Sequence, residues 1–273
     1  MTGAHPRLRP VLRLAVLYLI LSTFYGVPVY SESLTSEEIG LKIARDTQAR
    51  DQDFGNLTAQ QTMILRNKQG QESQRQLRVK ILEVPEDGDK SLFVFDNPRD
   101  VQGTALLIHG HKDTSDDQWL YLPALKRVKR ISSSNQSGSF MGSEFAYEDM
   151  SSPEVEKFTY RYLRDEPCGD LTCTVMERYP VNKKSSYSRQ VIWQDKDALR
   201  AQKIEYYDRK NAHLKTLTLT DYKLYLDRYW RASQMTMVNH LTGKSTVITW
   251  TDYQFQTDLD DRDFTKTGLR RIR

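Results

Sequence analysis

Only two cysteines occur in 273 residues, Cys168 and Cys173. So few exclude a disulfide-dense scaffold and leave too few neighbouring ligands for a cysteine-built metal site. They lie in Pro167-Cys168-Gly169-Asp170-Leu171-Thr172-Cys173, where Gly-Asp reads as a turn and sets the two thiols face to face across a short hairpin. A disulfide is the first reading in an oxidising compartment, since a redox pair is more often spaced Cys-x-x-Cys. Also missing are a nucleophile elbow of the form Gly-x-Ser-x-Gly, a βαβ rhythm, a long linker and a fixed-period repeat. Their absence argues against an α/β-hydrolase and a solenoid.

Charge of one sign is scarce too, once the N-terminus is set aside. Arg7, Arg9 and Arg13 precede the apolar run Leu14–Phe24, which is too short for a comfortable membrane span. Gly26 and Pro28 break that run, and Val29 and Ser31 offer small residues for cleavage. Residues 1–31 therefore read as a secretory signal peptide, with a retained anchor as the alternative. No cysteine lies near this zone, so a bacterial lipoprotein's attachment signal is missing. Removing the three leader arginines from 40 basic residues leaves 37 against 36 acidic, so the formal +4 falls to +1. The basic pI then gives no support to nucleic-acid binding.

What the chain does have is alternation. Tyr (15), Phe (9) and Trp (4) suit broad pleated sheets. One helix opens residues 32–273, with Thr35 and Glu38 in capping-box spacing and an apolar stripe of Ile39, Ile43 and Ala44 through to about Gln52. Beyond it, Leu57-Ala59-Gln61-Met63-Leu65 and Leu77-Val79-Ile81 each form one face of a strand, joined through the turn Asn67-Lys68-Gln69-Gly70. Further strands lie near 91–96, 104–109, 118–122, 158–164, 171–179, 188–194, 201–208, 214–222, 229–239 and 245–255. Short turns between them predict antiparallel pairing in one mainly-β domain. A helical turn is expected over Asp258–Phe264.

Three patterns suggest chemistry and fall short of it. Leu106-Leu107-Ile108-His109-Gly110 resembles the strand end of a hydrolase oxyanion region, but it has no elbow to serve. His109-Gly110-His111-Lys112-Asp113 resembles a metal cluster whose next histidine is Thr114 here, so strand-end histidines bonded to backbone are expected instead, and no metal or cofactor is. Gly243-Lys244-Ser245-Thr246 resembles the tail of a phosphate loop whose first glycine would be Val238. The basic run Lys126, Arg127, Lys129 and Arg130 reads either as a docking surface for an acidic partner or anionic headgroups, or as an edge strand guarded by charge. Phe93, Phe95, Trp119, Tyr121, Trp193, Tyr206 and Trp250 are either core residues or the lining of a cavity. Leu106, Ile108, Met235 and Met237 share that choice. The Ser/Gly-rich stretch from Ser132 through Gly142, with Phe140 and Met141, leads to Met150 and reads as a loop with a helical turn, either a lid or a static surface loop.

Three stretches carry a family resemblance: Asp96-Asn97-Pro98-Arg99-Asp100-Val101-Gln102-Gly103-Thr104-Ala105-Leu106-Leu107, then Asp117-Gln118-Trp119-Leu120-Tyr121-Leu122-Pro123-Ala124-Leu125 with the basic run, then Gly138-Ser139-Phe140-Met141-Gly142-Ser143-Glu144-Phe145-Ala146-Tyr147. From about Leu34 to the C-terminus the chain resembles the bacterial outer-membrane lipoprotein-sorting proteins, a LolA-like family. The resemblance implies a curved antiparallel sheet, a half β-barrel of the LolA/LolB kind left unclosed. About eleven strands are expected, with helices and loops capping an apolar concave face. It implies a non-enzymatic periplasmic carrier of lipoprotein or lipid acyl chains, loaded by an inner-membrane transporter and unloaded to an outer-membrane acceptor. An adaptor subunit for an exporter of the resistance-nodulation-division class is the alternative.

Overall fold

The computed structural model describes residues 1–3 and 33–272. The expected signal segment, residues 1–31, lies outside the described residues but for its first three. Every helix and strand among the described residues falls in one compact unit, Leu34–Arg273.

Helix α1 runs Ser36–Asp51. Its start is set by the sequence: the Thr35 hydroxyl accepts from the Glu38 amide at 3.2 Å, and the Glu38 carboxylate accepts from the Thr35 amide at 2.8 Å. Two orphan donors are thereby satisfied. Thirteen strands come after it. They are β1 Asn56–Arg66, β2 Glu72–Leu82, β3 Lys90–Asn97, β4 Ala105–His109, β5 Asp117–Leu122, β6 Arg127–Ile131 and β7 Phe158–Cys168, then β8 Leu171–Pro180, β9 Tyr187–Asp195, β10 Ala201–Asp208, β11 His213–Tyr225, β12 Tyr229–Asn239 and β13 Ser245–Phe255. All belong to one antiparallel sheet in the order β6-β5-β4-β3-β2-β1-β13-β12-β11-β10-β9-β8-β7. The expectation of about eleven strands is therefore low. The basic run is itself a strand, β6, and it escapes the alternation test because Arg127, Lys129 and Arg130 are exposed and give it no apolar face.

The topology is two meanders joined at their first and last members, β1 against β13. It leaves β6 and β7 at opposite edges although they are consecutive in the chain. The 132–157 connection must therefore cross from one edge to the other, and it does so over the inner face of a sheet that curls without closing. Lys157 pairs with Asp116 of the β4–β5 loop across that gap at 2.5 Å. Lys184 of the β8–β9 turn reaches Ser133 of the connection at 3.0 Å.

Each edge is protected in its own way. Edge β6 carries charge, which discourages pairing with another chain. Edge β7 is covered by α1, which approaches so closely that a Cβ on Gly40 would stand 2.9 Å from the Arg161 amide nitrogen.

The core divides by sheet face. On the inner face, Met63, Leu77, Phe95, Leu106, Ile108 and Met237 are wholly buried and pack with Phe140 of the connection. On the outer face of β3–β5, Leu92, Val94, Leu107, Trp119 and Tyr121 pack under Phe264 and Leu269 of the C-terminal 3-10 turns. With both faces covered, β3 and β4 are buried at nearly every residue and read as unbroken apolar runs. The first of those turns, Asp261–Phe264, falls in the stretch expected to be helical.

Candidate functional site

The connection fills only part of the inner face. Phe140 sits between Phe95 and Tyr147, with ring centroids at 5.8 and 5.7 Å, and closes the side built by β3 to β6. Over β8 to β13 the same face is only partly covered, and a cavity of about 760 Å³ remains there, reaching Gln61 of β1, Ile81 of β2 and Phe93 of β3. Such a volume is within the range of roughly 300–1,000 Å³ usual for small-molecule sites.

Its floor is set by register. Met176 pairs with Ile192, Ile192 with Ile204, and Ile204 with Leu217 on successive strands, so four apolar side chains form a row across the sheet. Leu219, Met235, Ile248 and Trp250 extend the apolar lining. The connection supplies a roof through Phe145 and Met150, and the β4–β5 loop and the β8–β9 turn supply the rim.

Of the residues expected at a cavity, Phe93, Tyr206, Met235 and Trp250 line it. Phe95, Leu106, Ile108, Phe140 and Met237 belong to the packed inner core beside it, with Met141 against them. Trp119 and Tyr121 lie on the outer face under the C-terminal turns. Trp193 also lies on the outer face, with Cys173, Val175 and Val191. These three are corrections to the expected lining. Their strands are buried on both sides, so aromatic character does not tell inside from outside.

The exposed side chains of Lys126, Arg127, Lys129 and Arg130 stand on β6 or at its entry turn, away from the cavity lining, and Arg130 pairs with Asp117 of β5. Cys168 and Cys173 close the β7–β8 hairpin with a Cα separation of 5.7 Å, a disulfide. His109 Nε2 bonds to the Phe264 carbonyl oxygen at 2.8 Å, and burial lowers its pKa. His111 Nδ1 meets Asp87 at 2.7 Å.

Polar residues also stand on this inner face, and Gln61, Arg178, Gln190 and Tyr206 among them line the cavity. In the row next to the apolar one, Arg178 pairs with Gln190, Gln190 with Tyr206, and Tyr206 with Lys215. Lys215 is 4% exposed; its Nζ lies 2.7 Å from Asp149 and donates to the Glu144 carbonyl at 3.0 Å. The Tyr187 hydroxyl donates to the same Asp149 carboxylate at 2.9 Å. This buried pair ties the connection to the sheet. Gln61, at 2% exposure, lines the cavity opposite Trp250 on β13, and its side-chain amide has no hydrogen-bond partner among the described residues.

Near the roof, burial raises Glu154 to about 7, and Asp89 adds to the rise. Burial also raises Asp89 to about 6. Gln61 sits at an apolar position of its strand's alternation, Leu57-Ala59-Gln61-Met63, and that mismatch is the signal by which sequence could have found it; Gln190 shares its phase with Ser188 and Gln194 and carries no such signal.

A domain from Vibrio parahaemolyticus described as an outer membrane lipoprotein-sorting protein is 55% identical. The match covers 86% of this chain and 99% of that one, with a TM-score of 0.84. The chain belongs to the outer-membrane lipoprotein-sorting protein family. A DUF1329 family protein from Desulfovibrio piger is 30% identical over 86% of this chain and 100% of its own, with a TM-score of 0.82. A LolA superfamily protein from Nitrosomonas europaea shares the fold at 19% identity and a TM-score of 0.68, over 86% of this chain and 99% of that one. A family model described as "-like: Uncharacterized protein" matches residues 87–271. No curated protein matches the chain. The family's fold is thus an unclosed sheet that carries, in this member, an apolar cavity under a crossing segment.

Proposed function

We propose that this protein is a periplasmic, non-enzymatic carrier that shields the acyl chains of a lipid or lipoprotein on their way between the inner and outer membranes. The observation that carries this reading is the cavity of about 760 Å³, floored by Met176, Ile192, Ile204, Leu217 and Ile248. Burying a methylene in such a space stabilises it by about 0.8 kcal/mol, so a chain of many carbons is held in water without any catalytic group. The lipoprotein-sorting description of the Vibrio relative supports the class of cargo.

An adaptor that binds only protein has no use for an apolar void of this size, so the cavity weighs against the exporter-subunit alternative. Loading by an inner-membrane transporter and release to an outer-membrane acceptor complete the proposal. The exposed cations of β6 are the surface we assign to an acidic partner or to anionic headgroups.

The test is extraction of the purified protein with organic solvent, followed by mass spectrometry for acyl compounds, and titration with a fluorescent fatty acid. Bound acyl material or saturable uptake is expected. Absence of both would end the carrier reading.

A further inference from the structure

The row of polar residues beside the apolar floor contains a cation, Arg178, that no carboxylate pairs with among the described residues. Arg178 projects from β8 at the inward-facing position two residues beyond Met176, and it lines the cavity. Its Nε donates to Gln190 Oε1 at 2.7 Å, and its guanidinium carbon lies 4.5 Å from the centroid of the Phe158 ring. Those two contacts fix the plane of the guanidinium and leave its outer nitrogens unused. Among the described residues neither Nη has a hydrogen-bond partner and no carboxylate pairs with the group.

The acid whose charge bears on it, Asp149, is engaged by Lys215 at 2.7 Å and by the Tyr187 hydroxyl at 2.9 Å. The phenols of Tyr160 and Tyr206 are the other groups whose charge bears on it. Arg178 is half-buried, and that burial pulls its pKa below the ordinary arginine range.

A charge drawn partly out of water into a cavity wall is normally paired, because each lost hydration contact costs stability. A guanidinium held flat, with two donors pointing the same way, matches an oxyanion in bidentate fashion. One strand step of two residues, about 7 Å, separates its row from the Met176–Ile192–Ile204–Leu217 row. Polar end and apolar tail therefore have adjoining places in one cavity.

We propose that Arg178 is the headgroup subsite of this cavity, and that the cargo is an anionic amphiphile whose carboxylate or phosphate sits on Arg178 while its acyl chain lies along that apolar row. The assignment rests on the carrier reading and narrows its substrate class.

The experiment compares cis-parinaric acid with its methyl ester as fluorescent probes of the full-length purified protein. The wild type should bind the acid more tightly by about tenfold or more, the worth of a charge-assisted hydrogen-bond pair. R178M should bring the two affinities within about twofold of each other while the ester's affinity stays unchanged. R178K, which keeps the charge but not the fork, should retain part of the preference, and it decides the matter if R178M fails to fold by circular dichroism. Competition by hexadecyl phosphate and by palmitate then ranks the two oxyanions, and displacement by neither overturns the subsite. Equal binding of acid and ester by the wild type, or a preference that survives in R178M, overturns the assignment and leaves the carrier reading standing. Binding of neither probe removes both.

Discussion

Replacing Phe140 by alanine tests whether the crossing segment is built into the core or merely rests on it. Phe140 has no accessible surface, and its ring meets Phe95, Tyr147 and Phe93 at centroid distances of 5.8, 5.7 and 6.4 Å. Its amide donates to the Phe145 carbonyl at 2.7 Å and its carbonyl accepts from the Ser143 amide at 3.0 Å, so the backbone around it is held while the side chain is removed. The void left by the ring cannot collapse freely, because Phe93 and Phe95 stand on a paired strand. Truncation of a fully buried Phe to Ala costs roughly 3–5 kcal/mol. With a urea slope of about 3 kcal/mol/M, the unfolding midpoint should fall by about 1 M or more. Equilibrium unfolding followed by tryptophan fluorescence and by circular dichroism measures this. A loss under about 1 kcal/mol with an unchanged slope would mean that the segment contributes little to the folded state. The account of a filled half and an empty half of the inner face would then be wrong.

The same geometry fixes three further outcomes. Breaking the buried Lys215–Asp149 pair with D149N should cost about 3–5 kcal/mol, and the K215M/D149M double variant should recover most of it, because the penalty comes from the unpaired charge and not from losing the pair; a double variant as unstable as the single one would refute this. Glu154 is 7% exposed, and burial raises it to about 7 from an ordinary 4.5, so the folded state holds its proton more tightly than the unfolded chain does. Stability should therefore fall as pH rises from about 4.5 through about 7. E154Q should be the more stable protein at pH 8, by on the order of 2 kcal/mol, and equal to wild type near pH 4; a destabilised E154Q at pH 8 would contradict the sign. Replacing Cys168 and Cys173 by serine should cost about 2 kcal/mol or less, since the loop they close is short, and two free thiols by mass spectrometry in periplasmic material would show that the bridge does not form there.

Legibility in the sequence depends on which faces of a strand are covered. The α1 cap is local chemistry between Thr35 and Glu38, and it reads directly. Strands with one covered face, such as β1 and β2, show their alternation, and it locates them closely. Strand β6 shows none, because its side chains are charged and it stands at an edge. The cavity lining is the least legible part. On β5 and β9, inner and outer neighbours are both apolar, so residue type cannot sort Trp119, Tyr121 and Trp193 from Leu120 and Ile192. Arg178 and Lys215 are visible only as charges out of phase with their strands, a signal that gains meaning once the register is known.

The pairing of the first strand with the last has a mechanical meaning. Every other neighbouring pair in the sheet is consecutive along the chain, whereas β1 and β13 meet only through their ladder and the side chains around it. A single cut in the exposed part of the crossing segment, near Ser134, would leave two polypeptides, one carrying α1 and β1 to β6 and the other β7 to β13. Neither would lose a strand, and each would present an unpaired partner, β1 or β13, for the other to zip onto. The molecule is in this sense a natural two-piece clasp. The seam where its halves register runs down the middle of the sheet, and the tether that keeps them at equal concentration is the strap over the cavity.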